Sequence, residues 1–183
     1  TAVQLVVTLA ALGGAGRHPL DRIEHAAVVP DDILADLVAG GVTVVTQPNF
    51  VAERGDQYLH DVPSTEHHEL WRVATLREAG VPVALSTDAP FGDADPWAAM
   101  RAAVSRRTPS GAVLAARERV SAAEALAMFL GDPLHPAVPR RIAPGEPGDL
   151  CVLSEAPPRV LADLDAEMVA ATVVAGQVVF ERR

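Results

Sequence analysis

The sequence predicts an α/β fold, a parallel sheet built from βα units and followed by a small β module. Three observations predict it. Short apolar runs of strand length alternate with longer segments that carry helix start and stop signals. Val42 to Thr46 is β-branched throughout, as expected of a strand covered on both faces. The last part of the chain breaks the alternation, placing strand-like runs after a stretch rich in Pro and Gly.

Taken in order, Thr1 to Leu12 carries apolar residues at helical spacing (Val3, Val6, Val7, Ala10) and meets a stop at Gly13-Gly14. Asp21 to Glu24 is a short strand. Pro30-Asp31-Asp32 opens a helix, with Pro near the first helical position and acids in the first turn, and Gly40-Gly41 closes it. Val42 to Thr46 is the next strand, and a polar loop follows. A helix is expected from about Glu66 to Ala79, stopped by Gly80 with Pro82 beyond. Val83 to Thr87 is a third buried strand. Asp95-Pro96 caps a helix to about Arg106, and Ser121-Ala122-Ala123-Glu124 is a capping box that opens another.

Alternating strand and helix at this spacing means parallel pairing. Pro136 to Pro147 marks a boundary, which divides the chain into 1–135 and 136–183. Beyond it, Asp149 to Leu153, Val169 to Val174 and Gln177 to Phe180 read as strands without an intervening periodic helix. Ala175-Gly176 is the tight turn between the last two.

Composition narrows the functions. Of the 183 residues, 49% are hydrophobic and 21% charged, enough for a packed core and against disorder. The net charge of -9 argues against a nucleic-acid footprint. All 15 basic residues are Arg, which removes Schiff-base chemistry and a phosphate-binding P-loop lysine. The single Cys151 excludes an internal disulfide and a Cys-rich zinc module; its strand-like setting suggests a buried thiol. No apolar run is long enough for a membrane span, and the start lacks a basic leader, so a cytoplasmic enzyme is expected.

Two segments carry the chemistry. Arg22-Ile23-Glu24-His25 and Ser86-Thr87-Asp88-Ala89-Pro90 each close a strand and leave a metal-capable side chain at its C-terminal end. Loops converge on one crevice at that end of a parallel sheet. Asp95 already serves as the cap of the next helix, which leaves Asp88 free for another role. The intervening strand ends in Thr46-Gln47-Pro48-Asn49, so His25, Gln47 or Asn49, and Asp88 reach one rim.

Other constellations fall away. His67 and His68 are helix neighbours that point in different directions. Ser64, His60 and Asp61 lie in one loop without a nucleophile elbow. Gly13-Gly14-Ala15-Gly16 follows a helix and not a strand, which excludes a dinucleotide fingerprint. Trp71 and Trp97 sit on expected helices as packing residues. Asp56, Tyr58 and His60 fall in the loop after the second strand, where a lid or specificity loop would lie.

These segments together resemble the amidohydrolase superfamily, in its family-3 branch, which includes enzymes like N-substituted formamide deformylase. Arg22-Ile23-Glu24-His25-Ala26 resembles the sixth strand of that family's (β/α)8 barrel, whose His is a metal ligand. Gly41 to Pro48 is similar to the seventh strand. Ser86 to Pro90 is similar to the eighth, where the Asp binds metal and handles the proton of the attacking water. Pro144 to Leu153 and Val173 to Val179 resemble the return to a β-sandwich and its final hairpin.

The resemblance implies a metal-dependent hydrolase of amide-type C–N bonds in a small molecule. Its cofactor would be one or two divalent ions, Zn2+ as the first candidate. His25 and Asp88 would be metal ligands, Asp88 the general acid/base, and Gln47 and Asn49 substrate contacts. The family's first-strand His-x-His, its bridging residue and its fifth-strand His are absent from these residues. The chain is therefore expected to be the C-terminal part of the enzyme, strands 6–8 of the barrel plus part of the sandwich. It would be inactive alone, and completed by another copy or by the missing N-terminal half. Two other readings stay open: a non-catalytic half-barrel, and a small-ligand binding module without metal.

Overall fold

A computed structural model describes residues 2–183; the expected helix start at Thr1 lies outside the described residues. The chain forms two units, the larger running to Pro139 and the smaller covering Arg140–Arg183.

In the larger unit the order is α1 (Ala2–Ala15), β1 (Arg22–Glu24), α2 (Asp31–Gly40), β2 (Thr43–Thr46), α3 (Asn49–Asp61), α4 (Val73–Glu78), β3 (Val83–Leu85), α5 (Pro96–Ser105) and α6 (Ala122–Ala127). The three strands form one parallel sheet in the order β1-β2-β3, with Ile23 beside Val44 and Val45 beside Ala84. Val44, Val45, Ala84 and Leu85 are buried, so the sheet centre is covered on both faces, as its β-branched composition requires.

The local signals act as read at several ends. Gly41 takes φ 56° and closes α2, returning its N–H to Leu37 and Val38 carbonyls. Asp95 accepts a hydrogen bond from the Trp97 N–H at 2.9 Å, with Pro96 opening α5 behind it. Ser121 and Glu124 form the reciprocal capping box of α6.

Several expectations are corrected. The helix α1 runs through Gly13 and Gly14, and the chain turns only at Gly16, where φ is 81°. The polar loop expected after β2 is the helix α3, which places Asp56, Tyr58 and His60 on a helix. Phe50, Arg54, Tyr58 and Val51, Gly55, Leu59, Val62 recur at helical spacing there, and Gly55 hides the pattern. That glycine is needed for contact, since a Cβ on it would stand 2.6 Å from the Thr108 methyl.

The helix expected from Glu66 to Ala79 is broken in the middle. Ser64–Glu69 is a 3-10 turn, Leu70 is extended, Trp71 takes φ 51°, and α4 starts only at Val73. Trp71 is thus a packing residue off any helix, while Trp97 is a packing residue on α5. Leu70 bridges antiparallel to Val28, with the Trp71 N–H donating to the Ala27 carbonyl and the Val29 N–H to that of Glu69.

The break exposes backbone carbonyls inside the core, and Arg106 meets them. At 0% exposure its guanidinium donates to the carbonyls of Leu70 (2.9 Å), Trp71 (3.0 Å) and Leu114 (3.0 Å). Burial pushes it down to about 10, opposed by the nearby Glu118 carboxylate, so it stays cationic at neutral pH. Glu118, also buried, accepts from the Thr75 N–H at 3.0 Å and from the Thr75 hydroxyl. Arg72 donates to the Val29 carbonyl and to Asp31, tying the start of α2 to the same place and holding the Asp31 carboxyl below its usual range.

The smaller unit is an antiparallel sheet of β4 (Leu150–Leu153), β5 (Val169–Val174) and β6 (Gln177–Glu181) in that order. A helix, α7 (Pro157–Asp163), intervenes between β4 and β5, contrary to the expected helix-free tail; Pro at its first positions starts it rather than breaking it. Cys151 is exposed, not buried. Its strand is exposed at Leu150, Cys151 and Val152 and half-buried at Leu153. Among the described residues no helix is long and apolar enough to cross a membrane.

Two outcomes follow from these contacts. Replacing Arg106 by Met leaves the buried Leu70 and Leu114 carbonyls without donors, each at about 1–3 kcal/mol, while the Trp71 carbonyl keeps the Val73 N–H. Urea unfolding should show a loss of about 2 kcal/mol or more, and a loss below about 1 kcal/mol would remove Arg106 from its role. At Glu124, hydrogen bonds from Arg77 and Ser121 hold the carboxyl at about 2, below its ordinary 4.5. A lowered folded-state value stabilises above the unfolded value and is lost as pH falls through the folded one. The melting-temperature difference between the wild type and Glu124→Gln should therefore be constant above pH 4.5 and shrink towards pH 2. A difference independent of pH across that window would contradict it.

Candidate active site

The rim at the C-terminal ends of β1, β2 and β3 is built by backbone register. The His25 N–H donates to the Val45 carbonyl at 2.8 Å, and the Ser86 N–H to that of Thr46 at 3.0 Å. His25 and Asp88 thereby leave the sheet on either side of β2, two strand spacings or ~10 Å apart across it.

Both residues are in the left-handed region, His25 at φ 70° and Asp88 at φ 57°, and Ala26 follows at φ 45°. His and Asp tolerate this conformation better than most side chains, but each such residue still costs roughly 1–3 kcal/mol. His25 is exposed and Asp88 half-buried.

The loop that carries Asp88 is held at several points. The Asp88 carbonyl accepts from the N–H groups of Phe91 (2.9 Å) and Gly92 (3.0 Å). Asn49 donates to the Thr87 carbonyl at 3.1 Å and to Glu53 at 2.8 Å; the same Glu53 oxygen accepts from the Asp93 N–H. Gly92 packs so closely that a Cβ would stand 2.2 Å from the Thr87 carbonyl oxygen.

Gln47 and Asn49 are buried, at 1% and 2% exposure. Gln47 donates to the Ser86 hydroxyl at 2.8 Å and to the Val45 carbonyl at 3.3 Å. Both therefore brace the ends of β2 and β3. Their carbonyl oxygens, with the Thr46 hydroxyl, have no hydrogen-bond partner among the described residues.

Beside His25 lies a cleft of about 360 Å3 that sequence reading missed. Phe50, Tyr58, Trp71 and Phe91 form an aromatic wall, with ring centroids 5.3 Å (Phe50–Trp71), 5.7 Å (Phe50–Phe91) and 6.3 Å (Tyr58–Trp71) apart. Arg54 lies over Phe91 at 4.0 Å and over Phe50 at 5.2 Å. Burial raises the Tyr58 phenol above its usual range, with Arg54 pulling the other way. The signal was present in the i, i+4, i+8 spacing of Phe50, Arg54 and Tyr58.

His25 and Asp88 are an imidazole and a carboxylate, donor types that suit a zinc-like divalent ion. Among the described residues no three His, Cys, Asp or Glu side chains gather closely enough to hold one.

The sequence model of the Amidohydrolase family, in its family-3 branch, matches residues 1–180. This chain belongs to the amidohydrolase family. Among curated proteins it is 35% identical over 118 residues to N-substituted formamide deformylase from Arthrobacter pascens, a match covering 62% of this chain and 21% of the relative. Two solved structures are similar over 68% of the chain, both described as uncharacterized metal-dependent hydrolases. The one from Pyrococcus furiosus is 32% identical with a TM-score of 0.58, and the one from Pyrococcus horikoshii OT3 is 29% identical with a TM-score of 0.60. This amidohydrolase chain spans about a fifth to a quarter of the length of these relatives.

The packing of Gly92 gives a test of how firmly the Asp88 loop is held. Gly92→Ala should displace the loop and cost about 1–3 kcal/mol in denaturant unfolding, with faster hydrogen exchange at the Phe91 and Gly92 amides. Unchanged exchange would show that the loop is held elsewhere.

Proposed function

We propose that this chain carries part of the active site of a metal-dependent hydrolase that cleaves an amide-type C–N bond in a small molecule. One observation carries the reading: His25 and Asp88 occupy left-handed backbone positions at the C-terminal ends of β1 and β3 in one parallel sheet. Strain of this kind persists where surrounding contacts enforce it, and it clusters at functional sites. Membership of the amidohydrolase family and the names of the relatives support the same reading.

On this reading β1, β2 and β3 are the sixth, seventh and eighth strands of a (β/α)8 barrel, and Arg140–Arg183 belongs to a β-sandwich. A divalent ion, Zn2+ first among candidates, would be held by His25 and Asp88 with further donors from outside the described residues. When bound, it supplies Lewis acidity towards the amide carbonyl and lowers the pKa of water. The His25 imidazole would offer a ring nitrogen as ligand. A carboxylate oxygen of Asp88 takes the proton that the attacking water loses and passes it to the leaving nitrogen, so a carboxylic acid and an amine result. Gln47 and Asn49 act through position, fixing the ends of β2 and β3 so that Asp88 stays at the rim; the open carbonyl oxygens of both are the atoms through which either could also meet substrate.

The test uses the enzyme as the cell makes it, with N-substituted formamides as substrates. Asp88→Asn preserves shape but cannot carry the proton, and turnover should fall by about 10²–10⁴-fold. His25→Ala should act first on metal content. Turnover of Asp88→Asn within a factor of about two of wild type would take Asp88 out of the reaction. Unchanged metal stoichiometry and affinity in His25→Ala would make His25 a structural residue and favour a binding module without metal.

A further inference from the structure

We propose that the cleft beside His25 receives the non-reacting part of an aromatic or bulky apolar substrate that carries a carboxylate, and that Arg54 binds that carboxylate. The inference rests on the hydrolase reading only for the word substrate; the binding itself does not depend on it.

Phe50, Tyr58, Trp71 and Phe91 give the cleft an apolar wall, large enough at about 360 Å3 for one ring and a short polar extension. Such a wall selects a flat or branched apolar body. It does not account for Arg54.

A guanidinium has two faces and an edge, and the edge carries all five N–H donors. The Arg54 guanidinium carbon lies over the Phe91 ring at 4.0 Å and over the Phe50 ring at 5.2 Å. Among the described residues the edge makes no hydrogen bond and no ion pair. Its acidic neighbour Glu53 is committed to Asn49 and to the Asp93 N–H. In a chain of net charge -9, most other arginines are joined to a carboxylate or a backbone carbonyl. Arg54 is half-buried, lines the cleft and keeps its donors open.

The two ring contacts also restrict the group. A guanidinium fixed over aromatic faces loses little further freedom when a planar carboxylate meets its edge through two parallel N–H bonds. The chemical class is therefore a small amide bearing one carboxylate beside an aromatic or branched body. His25 lines the same cleft, so a ligand seated there reaches the rim.

The test is equilibrium binding of N-benzoylglycine and of its uncharged analogue N-benzoylglycinamide to the purified protein, by isothermal titration or ligand-observed NMR. The acid should bind about 10–100-fold more tightly than the amide, the range expected of hydrogen bonds to a charged group. Arg54→Gln should erase that preference and leave the affinity for the amide nearly unchanged. Arg54→Lys, a point charge without the fork, should restore only part of it. Equal affinity for both ligands in the wild type would overturn the proposal, as would no binding of either or a preference that survives Arg54→Gln. The wild-type comparison decides even if a variant fails to fold. Hydrolysis is not the readout, so loss of this preference leaves Asp88 and His25 untouched, and an inactive Asp88→Asn says nothing against Arg54.

Discussion

The fork of hydrogen bonds from Arg106 is the interaction on which the larger unit depends. Its guanidinium reaches three carbonyls, and for two of them, those of Leu70 and Leu114, it is the donor that no helix or sheet supplies; the Trp71 carbonyl also accepts from the Val73 N–H. Without it the chain could not leave helical geometry at Leu70 inside the core, since unmet buried carbonyls are costly. With it, Leu70 bridges to Val28 and Trp71 turns towards the cleft. A lysine could not replace the fork, and this chain has none.

A buried cation needs a counter-charge, and Glu118 provides one that is itself hydrogen-bonded through Thr75. Arg72 extends the set to Asp31 at the start of α2. The segments after β1, before α4 and after α5 are thereby joined by polar contacts rather than by apolar packing alone. Polar contacts of fixed geometry position a backbone more tightly than interchangeable methyl groups do.

The rim shows the same principle in the service of chemistry. His25 and Asp88 are set in conformations that an isolated chain would avoid, and neighbouring bonds hold them there: the Val45 carbonyl for His25, the Phe91 and Gly92 amides for Asp88. Asn49 and Gly92 then fasten the loop from beneath. Prepositioned side chains on rigid strand ends lose little entropy on meeting a ligand. That links the tight packing of Gly92 to the proposed role of Asp88.

Much of this was legible in the residues themselves. The β-branched run at Val42 to Thr46 marked the central strand, because an unbroken run of this kind is what a doubly covered strand favours. Asp95-Pro96, Ser121 with Glu124, and Gly41 marked helix ends, because capping is settled within a few residues. The order of His25, Gln47, Asn49 and Asp88 along parallel strands was enough to place them at one rim. Long-range contacts decided the rest. The break at Leu70 to Arg72 depends on an arginine more than thirty positions away, and the helix character of α3 is masked by a glycine whose reason is Thr108. Likewise the aromatic cleft gathers Phe50, Trp71 and Phe91 from separate segments. Local sequence determines where elements start, stop and face, since those energies are local; which carbonyls find a buried donor, and which side chains share a cleft, are set only when distant segments meet.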